Sequence, residues 1–326
     1  MSKKNLILFL LCLMQPYSLK ADFQSLPTLP DFGKVNSYYD AVRILFDDHL
    51  QEIEEIKTSG GQVEKVFSVI HLKKRWFVKI TREDCQSCET THFDTEWKLK
   101  KEYKKYSWLS LKNAELILPT KGATFILEHK KHLIASYAWV PGSTFSDIYS
   151  EHFNKKTGNK TLEKAFYRYG QVLSVMHLDP EKPSEDIDFI LNSPVRLHLS
   201  DRNGRNEKYH EDKDKIYILD LADDSQYVGR DVIVKEELEF WLVHMLDLYD
   251  NLNTSENCGS NHECLLVPFD SFAQGYISSL PTYNANVILA MLKTIYFEIV
   301  KYNCKFSHSE FCFLEEKLRA QNWLGS

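Results

Sequence analysis

The sequence lacks the features that mark several large classes of protein. It has no surplus of basic residues, because 40 lysines and arginines stand against 46 acidic residues and give a formal charge of -6. Nucleic-acid-binding domains usually carry such a surplus, so we expect no nucleic-acid partner. Internal repeats and low-complexity segments are also lacking. Apolar residues make up 43% and charged residues 26% of the chain, an ordinary balance for a globular protein that argues against disorder.

The apolar run at the N-terminus is too short to span a membrane. It covers residues 6–14 behind Lys3 and Lys4, whereas a transmembrane helix needs about 20 apolar residues. A short apolar core behind positive residues is typical of a secretory signal, here residues 1–21 with cleavage after Ala21. The alternative is a buried first helix. We therefore expect a protein that is secreted or held in a secretory compartment, without a transmembrane anchor once the signal is removed.

The cysteines agree with export. One of the seven lies in the predicted signal. The other six form three close pairs, which are Cys85 with Cys88, Cys258 with Cys264, and Cys304 with Cys312. An even number in an exported chain predicts disulfide bonds, and we expect neighbours to pair, although other connectivities are open. A zinc site at the Cys-x-x-Cys motif is the alternative, and the lack of a second such motif argues against it.

The apolar patterns change along the chain from strand-like to helical. An extended leader is predicted over residues 22–37 and an amphipathic helix over 38–57. Strands are predicted around 63–70, 76–80, 116–118, 125–127 and 133–135, with a helix over 93–112. Further helices are predicted at 162–177, 231–250 and 283–303, interrupted by a β-rich stretch at 216–219. The fold class is therefore α+β, with a sheet-rich part before a helical part.

Two lobes follow from this order. After the leader and first helix at residues 22–57, a small antiparallel-sheet lobe is expected over 58–137. Residues 138–145, which contain a Pro-Gly pair, form a hinge, and residues 146–326 form a larger helical lobe. A cleft between two lobes is a natural place for a ligand.

Candidate phosphate-binding residues occur in the first lobe. Gly60 and Gly61 open its first hairpin, where glycine allows backbone amides to approach phosphate oxygens, although such a pair is more often only a turn. Lys79 lies between apolar neighbours on the next strand, and an unpaired buried ammonium is costly. ATP phosphates and a helix carboxylate would both pair with it. Glu102 is the favoured carboxylate and Glu96 the alternative; an edge-strand lysine with its ammonium in water is the other interpretation.

Three oxygen-bearing residues in the second lobe complete the pattern. Asp201 and Asn206 lie five residues apart, and Asp220 follows the β-rich stretch. Phosphoryl transfer needs a carboxylate that orients the acceptor hydroxyl, which suits Asp201. It also needs hard oxygen ligands for the magnesium that bridges the phosphates, which suits Asn206 and Asp220. Asp223 is a candidate for a further ligand.

These motifs resemble those of the aminoglycoside phosphotransferase and choline kinase-like family, relatives of the protein kinases. The resemblance covers most of residues 58–250. Its matching segments are Gly60-Gly61 through Val69, Val78-Lys79-Ile80, Ala138 to Gly142, Tyr169 to His177, Leu199 to Asn206, and Ile218-Leu219-Asp220. The order and spacing of the segments carry the resemblance, since each alone is unspecific.

The resemblance implies a protein kinase-like fold that binds ATP and magnesium and phosphorylates a hydroxyl-bearing acceptor. It implies that Lys79 contacts the α- and β-phosphates while Glu102 pairs with it. The backbone near Ala138 would bind adenine. The remaining roles implied are the catalytic aspartate at Asp201 and magnesium ligands at Asn206 and Asp220.

The loop around Asp201 departs from the family pattern. The family usually has His two residues before the aspartate and then Gly, whereas this chain has Leu199 and Ser200. His198, one place earlier, is expected to be a structural histidine bonded to backbone. Arg202 and Arg205 either neutralise an anionic acceptor or the transferring phosphate, or are solvated loop arginines.

Three functions remain open. A small-molecule kinase is favoured over an exported protein kinase, because Asp220-Leu221-Ala222-Asp223 lacks the glycine of the DFG motif and no APE motif follows. The third is a pseudokinase that acts as a binding module. Family acceptors are often cationic, but the acidic candidates are expected to face solvent from a helix; these are Glu236, Glu237 and Glu239.

Overall fold

Two lobes joined by a hinge make up the computed structural model of this chain. It describes residues 29–57, 63–82, 96, 100, 103–155, 160–198, 204–219, 232–251, 266–306, 309–321 and 323. The first lobe is built on a six-stranded sheet, and the second combines helices with a four-stranded sheet. The predicted α+β architecture, with a sheet-rich lobe before a helical lobe, is confirmed.

The described residues form ten strands and eight α-helices. The strands are β1 (Asp31–Lys34), β2 (Leu50–Ile56), β3 (Lys65–His71), β4 (Lys74–Arg82), β5 (Ala114–Leu116), β6 (Lys121–Leu127), β7 (Lys130–Ala138), β8 (Ser143–Thr144), β9 (Glu207–His210) and β10 (Lys215–Ile218). The helices are α1 (Tyr38–Phe46), α2 (Phe145–Lys155), α3 (Lys160–His177), α4 (Ile187–Leu191), α5 (Val234–Asn251), α6 (Leu266–Ser278), α7 (Ala285–Phe306) and α8 (Ser309–Ala320). Short 3-10 helices span Asp47–His49, Tyr103–Lys112 and Glu211–Lys213.

The sheet of the first lobe has the strand order β1-β6-β7-β4-β3-β2. All neighbours are antiparallel except β1 and β6, which are parallel. Alternate residues of β3 and β4 enter the core, so that Phe67 and Val78 meet the apolar face of α1. Helix α1 begins at a serine cap, since the Ser37 hydroxyl accepts a hydrogen bond from the Asp40 amide at 3.1 Å.

The prediction of one helix over residues 38–57 is wrong in its second half. Helix α1 ends at Phe46, where Asp47 takes a φ of 63°, and residues 50–56 form edge strand β2. A register shift occurs between Leu50 and Glu52, and Leu50 and Ile53 both contact the core. The shift thus gives the strand the three-residue apolar spacing that resembles a helix.

The second lobe contains a small sheet with the order β5-β10-β9-β8. The predicted helices at 162–177, 231–250 and 283–303 correspond to α3, α5 and α7. Three further helices of more than two turns, α2, α6 and α8, were not predicted. In the described part of the predicted helix over 93–112, Glu96 and Lys100 are α-helical and Tyr103–Lys112 form a 3-10 helix.

Helices α3 and α6 cross with their backbones in direct contact. A Cβ atom on Gly275 would lie 1.8 Å from the carbonyl oxygen of Tyr167, and one on Gly170 would lie 2.1 Å from that of Phe272. Only glycine fits at either position. Aromatic residues on both sides of the crossing, including Tyr169 and Phe272, are fully buried.

A disulfide bond joins Cys304 of α7 to Cys312 of α8, which confirms one of the predicted pairs. The other two predicted pairs, Cys85 with Cys88 and Cys258 with Cys264, lie outside the described residues. Within the described part of the chain, no helix is both long enough and apolar enough to cross a membrane.

The α3–α6 crossing predicts a large effect of one added methyl group. We expect Gly275→Ala to lower the free energy of unfolding by about 3 kcal/mol, because the backbone of α3 must move to admit the Cβ atom. The matched control is Gln274→Ala on the exposed face of the same turn, with an expected change below about 0.5 kcal/mol. Urea unfolding followed by circular dichroism measures the stability of both variants. Equal free energies of unfolding for Gly275→Ala and Gln274→Ala would contradict the close approach of α3 and α6.

Candidate functional site

A cavity of about 260 Å³ lies in the cleft between the two lobes. Strand β4, the end of β7, the hinge, the start of β9 and the end of β10 all contribute to it. Its lining residues are Phe77, Lys79, Ile117, Tyr137, Ala138, Trp139, Val140, Arg205, Asn206, Lys208 and Leu219. Three residues predicted from separate motifs, Lys79, Ala138 and Asn206, therefore line one cavity.

The other predicted site residues lie outside the described part of the chain. They are Gly60, Gly61, Glu102, Asp201 and Asp220. Leu219, which directly precedes Asp220 in the sequence, lines the cavity. Gly204, which follows residues 199–203, is described and buried.

Strand alternation explains why Lys79 faces the cleft. Strand β4 runs between β3 and β7, and Lys79 is paired with Val66 on one side and Ala135 on the other. Its neighbours Val78 and Ile80 have no exposed surface and belong to the first-lobe core. The lysine side chain therefore leaves the opposite face of the sheet, where its Nζ lies 5.7 Å from the ring centroid of Tyr137.

Glu96 is a buried carboxylate at the same corner of the cleft. It is 2% exposed, and its Oε2 accepts a hydrogen bond from the Tyr137 hydroxyl at 2.5 Å. Because the Tyr137 ring also faces the Lys79 ammonium, one aromatic residue contacts both the acid and the cation. This places the alternative lysine partner, Glu96, beside the predicted phosphate-binding lysine.

Asn206 is held at the cleft by the residues around it. Its carbonyl oxygen accepts a hydrogen bond from the Leu219 amide at 2.7 Å. The next residue, Glu207, is fully buried on the opposite side of β9. Its carboxylate accepts hydrogen bonds from the Gly204 amide at 3.0 Å and from the Tyr169 hydroxyl at 3.1 Å. Sequence analysis missed Glu207, and the strand alternation of β9 is the signal that marks it as inward-facing.

A second buried carboxylate, Glu237, holds the chain that leads into residues 199–203. Its Oε1 lies 2.9 Å from His198 Nδ1, and its Oε2 lies 2.7 Å from His177 Nε2. The other nitrogen of His177 lies 3.0 Å from the Tyr276 hydroxyl. The predicted solvent exposure of Glu237 is therefore wrong, because this side of α5 meets histidines rather than water. The predicted backbone bond of His198 is also corrected, since its ring meets the Glu237 carboxylate.

The histidines determine the charge state of Glu237. Burial alone would raise the pKa of this carboxyl group. The adjacent imidazoles of His177 and His198 outweigh burial and lower the pKa of Glu237 to about 2. The carboxylate thus stays ionised in the interior, near the N-terminus of α5, where the helix dipole also favours negative charge.

Cations from both lobes meet at the hinge. The Trp139 ring lies 5.2 Å from the Arg75 guanidinium of β4 and 5.3 Å from the Lys208 ammonium of β9. The Trp139 amide also donates a hydrogen bond to the Arg75 carbonyl oxygen at 3.2 Å. Arg205, predicted as either a phosphate-neutralising or a solvated arginine, is exposed and lines the cavity.

In their order along the chain, the elements are those of a kinase-like fold: a sheet lobe with a cleft-facing lysine, a hinge and a helical lobe. No family model and no curated protein sequence matches the chain. A solved structure of an apo pseudokinase is similar with a TM-score of 0.38 and 10% sequence identity, over 83% of this chain and 98% of that one. Function must therefore be argued from the site itself.

The ionised Glu237 predicts an acid-dependent contribution to stability. Folding lowers the pKa of Glu237 from 4.5 to about 2. The charge of Glu237 therefore stabilises the fold at any pH above 4.5, the pKa in the unfolded chain, and this stabilisation is lost as the pH falls toward 2. We expect Glu237→Gln to lower the free energy of unfolding by about 3 kcal/mol at neutral pH, with the deficit shrinking below about pH 4.5. Urea unfolding across this pH range measures it.

The matched control is Glu239→Gln on the same helix. Burial raises the pKa of Glu239, so its charge does not favour folding and its loss is expected to leave stability at neutral pH nearly unchanged. If the free energies of unfolding of wild type and Glu237→Gln changed with pH in the same way, the ionised state of Glu237 would be contradicted.

Proposed function

We propose that the chain binds ATP with magnesium in the interlobe cleft and transfers the γ-phosphoryl group to a hydroxyl group of a small molecule. The observation that carries the proposal is the meeting of Lys79, Ala138 and Asn206 at one cavity. These residues come from the first lobe, the hinge and the second lobe. We further propose a distant relationship to the aminoglycoside phosphotransferase and choline kinase-like family.

The lining of the cavity matches the two ends of a nucleotide. Apolar side chains of Phe77, Ile117 and Val140 provide a surface for a base, and bases stack favourably on apolar and aromatic groups. The backbone near Ala138 lies where strand β7 ends and would bind the edge of adenine. Lys79 and Asn206 supply the polar groups that phosphates require.

Lys79 would contact the α- and β-phosphates. We propose Glu96, rather than the first choice Glu102, as its carboxylate partner, because Glu96 is buried beside Tyr137 and Tyr137 faces Lys79. A partly buried ammonium is stabilised by such a partner when the nucleotide is absent.

The second lobe would supply the metal and acceptor side of the reaction. The amide oxygen of Asn206 is a hard ligand that suits magnesium, and Asp220, next to the cavity-lining Leu219, would supply a carboxylate. Magnesium at this position would neutralise the charge of the transferring phosphate. Among the described residues alone, no group of three or more His, Cys, Asp or Glu side chains could hold a metal ion, so Asp220 is essential to this assignment.

Asp201 would orient the acceptor hydroxyl and accept its proton. Residues 199–203 are flanked by His198, which contacts Glu237, and by Gly204, which donates to Glu207. Positioning of the reacting groups supplies much of the catalysis of phosphoryl transfer.

A nucleotide-binding module without transfer activity is the second candidate. It is favoured by Leu199 and Ser200, which replace the family's histidine and glycine before Asp201. The proposal of export rests on the N-terminal apolar run, and the Cys304–Cys312 disulfide is compatible with it.

Nucleotide binding is tested by thermal unfolding with ATP and magnesium. At a ligand concentration about 100 times the dissociation constant, binding adds about 2.7 kcal/mol, which raises Tm by about 5 °C or more. Lys79→Met is expected to remove most of this shift, because the phosphates lose their cation. Lys74→Met is the control, since Lys74 is exposed on the same strand. No shift in wild-type protein would refute the proposal.

Phosphoryl transfer needs a separate test. We expect transfer of radiolabelled γ-phosphate to one member of a panel of amino alcohols, sugars and aminoglycosides, with loss of more than 100-fold in Asp201→Ala, a typical order for a positioned acid–base group. Asp220→Ala should lose the magnesium-dependent part of the ATP thermal shift. A shift that persists in Asp201→Ala without transfer to any acceptor in wild type would favour the binding module.

The choice of lysine partner gives a sharper comparison. We expect Glu96→Gln to weaken ATP binding about tenfold, since losing a charged partner from a buried pair costs at least about 1.4 kcal/mol. Glu102→Gln is expected to change it less than twofold. Isothermal titration calorimetry measures both, and the reverse order would restore Glu102 as the partner.

A further inference from the structure

Lys208 is a cation in the cleft that the proposed mechanism does not use. It lies on β9, paired on one side with Tyr217 of β10 and on the other with Thr144 of β8. Its strand neighbours Glu207 and Tyr209 are buried toward the helical lobe. Alternation therefore directs Lys208 to the opposite face, where it lines the interlobe cavity.

The ammonium of Lys208 has few protein contacts for its three donors. In the part of the chain that the structure describes, it lies over the Trp139 ring and is attracted electrostatically by Asp147. No described residue gives it a hydrogen bond or an ion pair. A partly buried ammonium regains its lost hydration only from hydrogen-bond acceptors. A ligand in the cavity would supply such acceptors.

The position of Lys208 indicates which part of a ligand it meets. Trp139 directly follows Ala138 in the hinge, and the proposed function places the edge of a purine base against this backbone. The Trp139 ring lies close to two cations, Arg75 at 5.2 Å and Lys208 at 5.3 Å, and its amide donates to the Arg75 carbonyl oxygen. The Lys208 ammonium is therefore held beside the base end of the cavity.

An ammonium distinguishes the two common purines by hydrogen-bond polarity. Guanine presents a carbonyl oxygen and a ring nitrogen as neighbouring acceptors, and lysine is one of the side chains that bind this edge. Adenine presents an amino donor in place of the carbonyl, and lysine has no acceptor for it.

We propose that Lys208 is a specificity-determining residue that makes the cleft bind 6-oxopurine nucleoside triphosphates more tightly than ATP. The inference rests on the proposed function, because it requires the base to lie at the hinge. It assigns to GTP and to inosine triphosphate a contact that ATP cannot make.

Calorimetric titration with magnesium and three nucleotides tests the assignment. Inosine triphosphate has the 6-oxo group of GTP but lacks its 2-amino group, so it isolates the carbonyl. We expect wild-type protein to bind GTP and inosine triphosphate about tenfold more tightly than ATP, the order of one good base contact. Lys208→Met should remove this preference while changing ATP affinity less than threefold, and Lys208→Arg should retain it.

Lys213→Met is the matched control, because Lys213 is exposed in the turn between β9 and β10. It should leave all three affinities unchanged. ATP binding that equals or exceeds GTP and inosine triphosphate binding, with the same ratio in Lys208→Met, would overturn this inference and leave the proposed function intact. Failure of all three nucleotides to bind would overturn both.

Discussion

Two buried carboxylates, Glu207 and Glu237, are the constraint on which the second lobe depends. A carboxyl group is stable in an interior only where it has hydrogen-bond or charged partners, and both of these groups find them on separate elements. Glu207 joins β9 to α3 and to the Gly204 amide. Glu237 joins α5 to the histidine at the end of α3 and to His198. The contacts of these two carboxylates thus also fix His198 and Gly204, the residues on either side of residues 199–203.

The cleft-facing residues were the most predictable part of the site. Lys79 stands alone as a charge between apolar strand residues, and Asn206 lies five residues after Asp201 in a polar segment, so local pattern is enough to identify both as candidates. Glu237 was expected to face solvent and Glu207 was missed, because an acid in the first turn of a helix or at the start of a short strand usually faces water. Their burial depends on histidine and tyrosine side chains that are distant in sequence, which local pattern does not contain.

The fold was predictable at the level of lobes and less so at the level of elements. Strands β3 and β4 were predictable from their runs of β-branched and aromatic residues, and one face of each packs on α1. Strand β2 was mistaken for helix because its apolar residues Leu50, Ile53 and Ile56 are three apart, and its bulge accounts for the first of these intervals. Helix α6 contains Pro268 and Gly275, both poor helix formers in isolation, and it is stabilised by its packing against α3 rather than by its own propensity.

The glycine contact between α3 and α6 has a consequence for motion. Shear between packed helices proceeds through small changes of side-chain conformation in the layer that separates them. At Gly170 and Gly275 no such layer exists, because backbone meets backbone. These two helices carry Tyr169, His177 and Tyr276. These three side chains must therefore move together as one body. Sliding of α3 past α6 is therefore excluded as a way for the second lobe to change the shape of the cleft.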